Sequence, residues 1–411
     1  MNIGIFEDSG YRSLLPLTWL RPAFSLACGT DRLIDRIRRY VPGKLARLWV
    51  RDALKTVTAD LVEGDSPAND DDWWLINSRA LITDTLPDLP PESLWAIHGT
   101  VVAARVSSAD ISKITSLTFL DDAKFGEWAS TFRSEPPPPQ IRLIQYPWDL
   151  IAANPEELRR QMQHGGVRAG TVHGGAHLLN EGLIHIAAGA VVKPGAVLDA
   201  SDGPIHISEY ATIEPNAVVQ GPCFVGERAI VRPNAIIRGD TSIGPVCKVG
   251  GEIEASVFWG YSNKQHDGFL GHSYVGPWVN LGAGTTTSDL KNTYGSIRAL
   301  INGVGVETGL HFLGSIIGDH TKTGIGTILP TGCVIGVASN VFTQNVVPRF
   351  VPSFAWLTEK GITTYRTDKA IQIARIVLER RKLEFTDDEA ALFEVTARSC
   401  KDVEKPGWEA A

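Results

Sequence analysis

The chain lacks the features that would direct it into or across a membrane. Its 411 residues contain no apolar run of 18 or more, the length needed to span a bilayer. The first ten residues, MNIGIFEDSG, have neither the basic segment nor the apolar stretch typical of a signal peptide. We therefore expect a cytoplasmic protein with no membrane partner.

Cysteines and basic clusters are also scarce. The five cysteines are odd in number and none has CxxC spacing, which argues against a disulfide framework or a structural zinc site. We expect reduced, mostly buried thiols. The net charge is −7 and no basic run is present, whereas a nucleic-acid partner requires clustered Lys and Arg. A small-molecule substrate is the better expectation.

What the sequence does contain is a repeat of six residues. An aliphatic residue recurs at this spacing, with Gly, Pro, Asn and small residues between, at Ile207, Ile213, Val219, Val225, Val231, Ile237, Ile243 and Val249. The same spacing recurs at Ile186, Val192 and Leu198, and later at Val275, Leu281, Ile317, Thr323, Leu329, Ile335 and Val341. Each hexapeptide predicts a short strand and a tight corner, and three make one triangular coil. We expect a left-handed parallel β-helix over residues 183–350, an exception to the right-handed crossover rule.

Two other regions flank the repeat. Residues 1–152 alternate strand-like and helical segments and predict an α/β domain. A linker over 153–182 should begin with a helix at Asn154-Pro155, because both residues favour a helix start. Residues 351–411 predict a helical extension that covers the last coil or a neighbouring subunit. Its first helix begins near Thr367 or Asp368, and its second has the capping-box spacing from Thr386 to Glu389.

The amino terminus carries a first motif. The strand-like NIGIF is followed by EDSGYRSLLPLTWLRPAF, which resembles the signature loop of sugar-nucleotide pyrophosphorylases. This resemblance implies a shortened nucleotidyltransferase-like domain in which Gly10, Arg12 and Arg21 bind a nucleotide. Asn77 and Arg79 are further candidates, because they end an apolar strand where α/β sheets hold ligands.

The first motif also departs from that family. Only one glycine remains, and Glu7 and Asp8 would repel a polyphosphate unless a Mg²⁺ ion lay between them. An active first domain therefore implies Mg²⁺ as cofactor. A decayed or purely structural domain is the open alternative.

A second motif lies inside the repeat. The stretch SNKQHDGFLGHSYVGPWVNLGAGTTT resembles the acetyltransferase half of the bifunctional enzyme that acetylates glucosamine-1-phosphate and then uridylylates it. The likeness covers about residues 183–345, and the order of the two domains extends it to most of the chain. It is similar above all to a branch of sugar nucleotidyltransferases that pair a shortened first domain with this β-helix. The resemblance implies acetyl-CoA as cosubstrate, a sugar phosphate and a nucleotide as ligands, a homotrimer, and a role in cell-envelope biosynthesis.

The chemistry of acetyl transfer gives these residues roles. An attacking amine must lose a proton, and His266 suits a general base because imidazole titrates near neutral pH. Candidates for the substrate site are Arg232, Asn263, Lys264, Asn280 and Asn292. Candidates for the acetyl-CoA and oxyanion site are Gly282, Ala283, Gly284 and Lys322, since backbone N–H groups can stabilise an oxyanion. We expect residues 262–271 to leave the coil as a loop that carries Lys264 and His266.

Three alternatives remain open. The expected sugar-site lysine is replaced by Ala255 and Ser256, so the sugar is not fixed and the chain could be a nucleotidyltransferase only. His266, His272, His311 and His320 could form a metal site of the carbonic-anhydrase type, although no triad has the needed spacing. A non-catalytic sugar-nucleotide-binding scaffold is the third.

Overall fold

The computed structural model describes residues 1–62, 72–163 and 165–404. It contains the predicted parts in the predicted order: an α/β domain, a left-handed parallel β-helix and two carboxy-terminal helices. The predicted fold class is confirmed.

The first domain is built on a six-stranded sheet. In spatial order its strands are Lys44–Trp49, Asn2–Phe6, Trp73–Asn77, Thr100–Val106, Ser93–Ile97 and Arg133–Glu135. The strand Asn2–Phe6 is parallel to both neighbours and buried along its whole length, which explains its uninterrupted apolar sequence. Small two-stranded sheets pair Ala80–Ile82 with Ile141–Leu143 and Ala27–Cys28 with Asp31–Arg32. The helices are α1 (Leu33–Tyr40), α2 (Ser108–Ile111), α3 (Ser116–Leu120) and α4 (Asp122–Ala129).

The linker helix α5 spans Pro147–Gln161, so the predicted start at Asn154 is wrong. Pro147 occupies the first turn, and the Asp149 carboxylate accepts hydrogen bonds from the N–H groups of Gln145 and Tyr146. Asn154 is buried inside the helix. Its side chain accepts from the Gly29 N–H (2.7 Å) and donates to the Asp240 carbonyl (2.9 Å), bridging the first domain and the β-helix.

The β-helix has three faces, which the chain visits in turn. The first face comprises Thr171–Val172, Val191–Val192, Thr212–Ile213, Ile230–Val231, Lys248–Val249, Asn263–Lys264, Lys322–Thr323, Asn340–Phe342, Ala355–Thr358 and Gly361–Thr364. The second face comprises His177–Leu179, Val197–Asp199, Val218–Gln220, Ile236–Ile237, Glu252–Glu254, Phe269–Gly271, Thr286–Thr287 and Ile328–Leu329. The third face comprises Ile184–Ile186, Ile205–Ile207, Cys223–Val225, Thr241–Ile243, Val257–Phe258, Tyr274–Val275, Ser315–Ile317, Cys333–Ile335 and Phe350–Val351. The strands therefore begin before residue 183 and continue past residue 350.

The six-residue repeat accounts for the core of this β-helix. Every repeat position from Ile186 to Val341 named above is buried, and the aliphatic side chains form one continuous cluster along the axis. Left-handed backbone angles recur at the corners, for example at Asn216 and Asn234, where the short polar side chain of Asn tolerates a positive φ. All five cysteines are buried and unpaired, as predicted.

Residues 262–271 do not leave the coil, and this prediction is wrong. They supply one strand to the first face and one to the second, and Lys264 takes the inward position beside Val249. The departure from the coil comes later, between Thr287 and Ser315. There the chain forms a hairpin of strands Arg298–Ile301 and Val304–Glu307, whose apolar side chains pack on the first domain.

The carboxy-terminal helices cover one corner of the β-helix. Helix α6 spans Thr367–Glu379 and helix α7 spans Asp387–Val403, and Thr386 forms the predicted capping box with Glu389. Their apolar faces pack on Ala338 and Phe354 of the coils. Glu404 accepts hydrogen bonds from the Trp19 indole and the Ser353 N–H, so this extension also contacts the first domain.

Candidate functional site

His266 lies on the corner that joins the first face to the second, between the strands Asn263–Lys264 and Phe269–Gly271. Its side chain is exposed and borders a groove of about 490 Å³. Ala283, Gly284, Ile325 and Gly326, from the same corner of later coils, line the rest of the groove. An exposed imidazole at the edge of a groove is accessible to a proton donor bound there.

The backbone amides near His266 differ in availability. The Gly282 N–H donates to the Thr323 hydroxyl (2.9 Å), and the Gly284 N–H donates to the Asp267 carbonyl (3.2 Å). Both groups are therefore occupied within the coil. Of the three predicted residues, only Ala283 keeps an N–H group without a hydrogen bond to the described residues, so it stays the candidate oxyanion donor.

Lys264 is not available to a ligand in this arrangement. The side chain is 1% exposed, and its ammonium group donates to the carbonyls of Gly250 (2.9 Å) and His266 (2.8 Å). Burial lowers its pKa to about 8, and nearby Asp267 partly opposes this shift. Lys264 therefore holds the corner that carries His266 and does not bind the substrate anion.

A cationic cavity of about 330 Å³ lies beside the first face. Lys248, Lys322, Arg380 and Arg381 line it, and its lining contains no Asp or Glu. The pKa of Lys322 is lowered to about 8 by burial. The pKa of Lys248 is lowered by burial and by the positive charges of Arg381, Arg232 and Arg380. This concentration of unneutralised positive charge favours a phosphate-bearing ligand.

Polar and aromatic residues complete the cavity. Asn263 and Asn280 line it, and the Asn263 Oδ1 atom is buried without a hydrogen-bond partner among the described residues. Tyr261 and Trp278 stack on each other with ring centroids 4.5 Å apart. Three of the predicted site residues, Asn263, Asn280 and Lys322, thus meet in one cavity, and Arg232 is close enough to act on Lys248.

Sequence reasoning missed the contribution of the carboxy terminus. Arg380 and Arg381 follow α6, and their sequence neighbourhood, LERRK, looks like the solvated end of a helix. Lys248 occupies an outward position on the first face, which the six-residue pattern identifies but gives no role. Only the packing of α6 against the coils brings these three cations together.

The cavity and the His266 groove belong to one surface. A shallow groove of about 460 Å³ lies between them and is lined by Asn280, Gly282, Thr323 and Ile325, among others. It shares Asn280 with the cationic cavity and Ile325 with the His266 groove. A ligand anchored in the cavity can therefore extend along the corner toward His266.

Asn292 is not part of this surface. It lies in the segment between Thr287 and Ser315, is exposed, and lines none of the cavities described here. The prediction that it contacts substrate has no geometric support among the described residues.

The acidic residues of the amino-terminal motif form ion pairs with arginines of the first domain. The Arg79 guanidinium lies against Gly10 and forms a buried salt bridge with Asp8 (2.6 Å), and Asn77 also donates to Asp8 (2.8 Å). Glu7 pairs with Arg51 (3.2 Å). Both acids that could hold Mg²⁺ are thus bound to arginines, and the residues present do not fit that ion.

Arg21 and Arg12 also differ from the nucleotide-binding prediction. Arg21 forms a salt bridge with the buried Asp319 of the β-helix and lies over the Trp259 ring (4.7 Å), which ties the domains together. Burial raises the pKa of Asp319 to about 6, and Arg21 acts against that shift. The Arg12 side chain is exposed, and its carbonyl accepts from Asn302 of the hairpin (3.0 Å). A nucleotide-binding role for these residues stays a prediction.

The histidines considered for a metal site lie in different settings. His272 pairs with Asp289 (2.9 Å), His311 contacts the Tyr294 carbonyl (3.1 Å), and His320 is buried with its pKa well below the usual range. Across residues 1–62, 72–163 and 165–404, no group of three or more His, Cys, Asp or Glu side chains could hold a metal ion. In the same residues, no helix is long and apolar enough to cross a membrane.

Known proteins resemble parts of the chain. Residues 3–164 match the family model described as sugar nucleotidyl transferase. A bifunctional sugar-1-phosphate nucleotidylyltransferase/acetyltransferase of Sulfurisphaera tokodaii is 31% identical over 100 residues, covering 24% of this chain and 25% of that protein. The bifunctional protein GlmU of Synechococcus sp. is 28% identical over 139 residues, covering 33% and 27%. The match spans about a quarter of the length of these relatives.

Solved structures give a looser likeness. A UDP-N-acetylglucosamine acyltransferase from Campylobacter jejuni has 16% identity and a TM-score of 0.25, covering 57% of this chain and 82% of that one. The acetyltransferase domain of PglB from Neisseria gonorrhoeae has 12% identity and a TM-score of 0.18, covering 76% and 92%. Superpositions this loose support no argument about function. The sequence comparisons carry the identification: the first domain matches the sugar nucleotidyl transferase family, and the resemblance to bifunctional nucleotidylyltransferase/acetyltransferases is confirmed at low identity.

Proposed function

We propose that this protein transfers the acetyl group of acetyl-CoA to the amino group of an amino-sugar phosphate. The observation that carries the proposal is the cationic cavity, which joins the His266 groove through Asn280 and Ile325. An anion site at one end and an exposed imidazole at the other match a substrate with a phosphate and an amine.

The cavity binds the phosphate and orients the sugar. Lys322, Arg380 and Arg381 supply charged hydrogen-bond donors, and Asn263 offers a carbonyl oxygen without a protein partner to a sugar hydroxyl. The stacked Tyr261 and Trp278 rings present a flat surface on which the apolar face of a sugar ring can rest. The substrate then extends along the corner, with its amine toward His266.

His266 acts as the general base. It accepts a proton from the amine as nitrogen attacks the thioester carbon, and the Ala283 N–H donates to the developing oxyanion. When the intermediate collapses, the C–S bond breaks, the CoA thiolate leaves, and the imidazolium returns the proton to sulfur. The products are the N-acetylated sugar phosphate and free CoA.

A homotrimer fits the outer surface of the second face. Val197, Val218 and Ile236 lie in register on its strands, and Ile328 pairs onward to Val346. Ile236, Ile328 and Val346 are 41%, 43% and 61% exposed, and they form two exposed apolar patches that further subunits could cover. Glu252 pairs with Ile236 and Thr286 with Ile328, so polar residues lie between the two patches. The His266 corner borders the same face, and this proximity supports an acetyl-CoA site between subunits of the proposed trimer.

Nucleotidyl transfer by the first domain is the second candidate activity, and the family match of residues 3–164 supports it. The ion pairs of Glu7, Asp8 and Arg79 oppose it, because they fill the motif with protein groups. Incubation of the purified protein with UTP, Mg²⁺ and sugar 1-phosphates, followed by a pyrophosphate assay, tests this second activity. Its absence would leave the acetyltransferase proposal intact.

The acetyltransferase proposal is tested with His266→Gln. Purified protein is screened against amino-sugar 1-phosphates and acetyl-CoA, and CoA thiol is measured. We expect turnover by the unaltered chain and a loss of about 10²–10⁴-fold in kcat for His266→Gln. His311→Gln serves as the matched control, because His311 is also exposed but lies in the segment after Thr287. Undiminished turnover by His266→Gln, or no turnover of any amino-sugar phosphate by the unaltered chain, would contradict the proposal.

A further inference from the structure

A second cleft of about 390 Å³ lies on a different corner of the β-helix, between the second and third faces. Three elements enclose it. Helix α5 contributes Trp148, Ile151 and Ala152, and the end of the segment before Ser315 contributes Leu310 and Phe312. The coil corners supply the floor. This volume lies within the range of protein sites that enclose small organic ligands.

His272 and Asp289 form a polar pair at this otherwise largely apolar cleft. The imidazole Nδ1 lies 2.9 Å from the Asp289 Oδ2, and the ring stacks on Phe312 with centroids 5.1 Å apart. The two side chains are only 27% and 14% exposed. A carboxylate accepts the hydrogen from Nδ1, so in the neutral ring Nε2 is a hydrogen-bond acceptor.

The backbone holds this pair in place at a cost. His272 has a φ of 44°, a left-handed conformation that is unfavourable for most side chains. Its N–H donates to the Glu254 carbonyl (3.0 Å), and its carbonyl accepts from Gly314 (2.9 Å). The Asp289 carbonyl accepts from Leu313 (2.9 Å). Both ends of the segment between Thr287 and Ser315 therefore fix the imidazole and its carboxylate.

The chemistry of the cleft defines its ligand. Aromatic and aliphatic side chains form most of its lining, so the body of the ligand must be apolar. Apart from the histidines, Asp240 is the one acidic or basic residue of the lining, and its Oδ1 atom lies 3.4 Å from the Arg159 Nη1 atom, so its charge is paired. His311 contacts the Tyr294 carbonyl through Nδ1 (3.1 Å). His311 is exposed to solvent, whereas the His272 side chain is only 27% exposed, so a hydroxyl group on His272 Nε2 competes less with water.

We propose that this cleft binds a small neutral molecule with an apolar body and one hydroxyl group, which donates its proton in a hydrogen bond to His272. The site is separate from the acetyl-transfer surface, because His266 lies on the corner between the first and second faces. It does not depend on the proposed acetyltransferase activity.

The proposal is tested with 2-naphthol, whose fluorescence reports its binding, and with 2-methoxynaphthalene, which keeps the oxygen but lacks the hydroxyl hydrogen. We expect the full chain to bind 2-naphthol at least about fivefold more tightly than 2-methoxynaphthalene, because only 2-naphthol can donate the hydrogen bond. In His272→Asn this preference should vanish, because Asn tolerates the left-handed backbone but is too short to replace Nε2. His311→Gln, in the same cleft, should retain the preference.

A second variant tests the position of the site. Ala152 is an exposed residue of α5 on the wall of the cleft, so Ala152→Trp should fill the space without disturbing the core. Binding of both probes should fall at least tenfold. The proposal is overturned if neither probe binds the unaltered chain saturably. It is also overturned if Ala152→Trp binds the probes as tightly as the unaltered chain, or if His272→Asn keeps the preference for 2-naphthol.

Discussion

Lys264 occupies a position that the rest of the first face gives to Val, Ile, Leu or Thr. Its ammonium group is bound by two backbone carbonyls and has a pKa near 8, below the value for a solvated lysine because of burial. A charged group in this position costs stability unless its hydrogen bonds offset the loss of water. The bond from the ammonium group to the His266 carbonyl fixes the corner that carries this histidine.

Lys264→Met should change how stability depends on pH. The folded chain loses the Lys264 proton near pH 8, while the unfolded chain keeps it to about 10.5, so the unfolded state binds more protons between these values. The free energy of unfolding of the unaltered chain should therefore rise through this window, by about 3 kcal/mol relative to Lys264→Met. Urea unfolding at pH 7.5 and pH 10 measures the difference. An equal change with pH in both proteins would show that Lys264 is not buried as a cation.

The sequence predicts His266 as an exposed residue, which it is, but it misplaces Lys264, and the reason is local. After Val249 the inward residues are Ile253, Phe258, Lys264, Leu270 and Val275, at steps of four, five, six, six and five. The shorter corners interrupt the six-residue spacing, so the spacing no longer identifies the inward positions. A lysine at an inward position is then mistaken for a loop residue. The string from Asn280 to Gly284 was placed correctly because its own six-residue spacing continues to Leu281. Which amide stays free depends on Thr323, 41 residues away from Gly282.

At the scale of elements, α6 matters through the residues at its end. It packs on the coils and brings Arg380 and Arg381 to Lys248 and Lys322. Helix boundaries and capping were predictable from Thr386 and Glu389, since capping is a local interaction. The placement of α6 on the coils was not, because it depends on apolar contacts between distant parts of the chain. Contacts between distant parts of the chain also decide the role of Asn154 in α5. The sequence predicts it as a helix cap, whereas its side chain bonds to both the first domain and the β-helix.

Replacing both arginines after α6 should weaken sugar-phosphate binding selectively. We expect Arg380→Gln with Arg381→Gln to raise KM for the amino-sugar phosphate by about 10–100-fold, because each charged hydrogen bond contributes about 1.5–3 kcal/mol at most. The kcat should change little, since neither side chain lines the His266 groove. Steady-state kinetics with varied sugar phosphate measures this. Arg398→Gln on α7 is the control, and an unchanged KM in the double variant would place the phosphate elsewhere.

At the scale of the whole molecule, the second face should hold the trimer together. Ile236→Glu with Ile328→Glu places a charge in each exposed apolar patch of this face and should yield a monomer that keeps its fold. Light scattering coupled to size exclusion gives the mass. Val304→Glu is the matched control, because Val304 is 59% exposed but lies on the hairpin rather than on this face. A trimer that survives the double change would move the interface to another surface.

The side chain of Asn154 has a consequence for how this protein can be divided. It joins Gly29, Ser242 and Asp240, and the nearby Tyr274 hydroxyl accepts from the Ala27 N–H (2.8 Å). Cutting the chain after α5 would expose the Asn154 side chain and the strand Ala27–Cys28 to water on the first half. The second half would lose the groups that contact Asp240, Ser242 and Tyr274 at the corner of its coils. The two halves are therefore not interchangeable modules. A chimaera that joins a different amino-terminal domain to this β-helix would have to reproduce the contacts of Asn154 and Ala27.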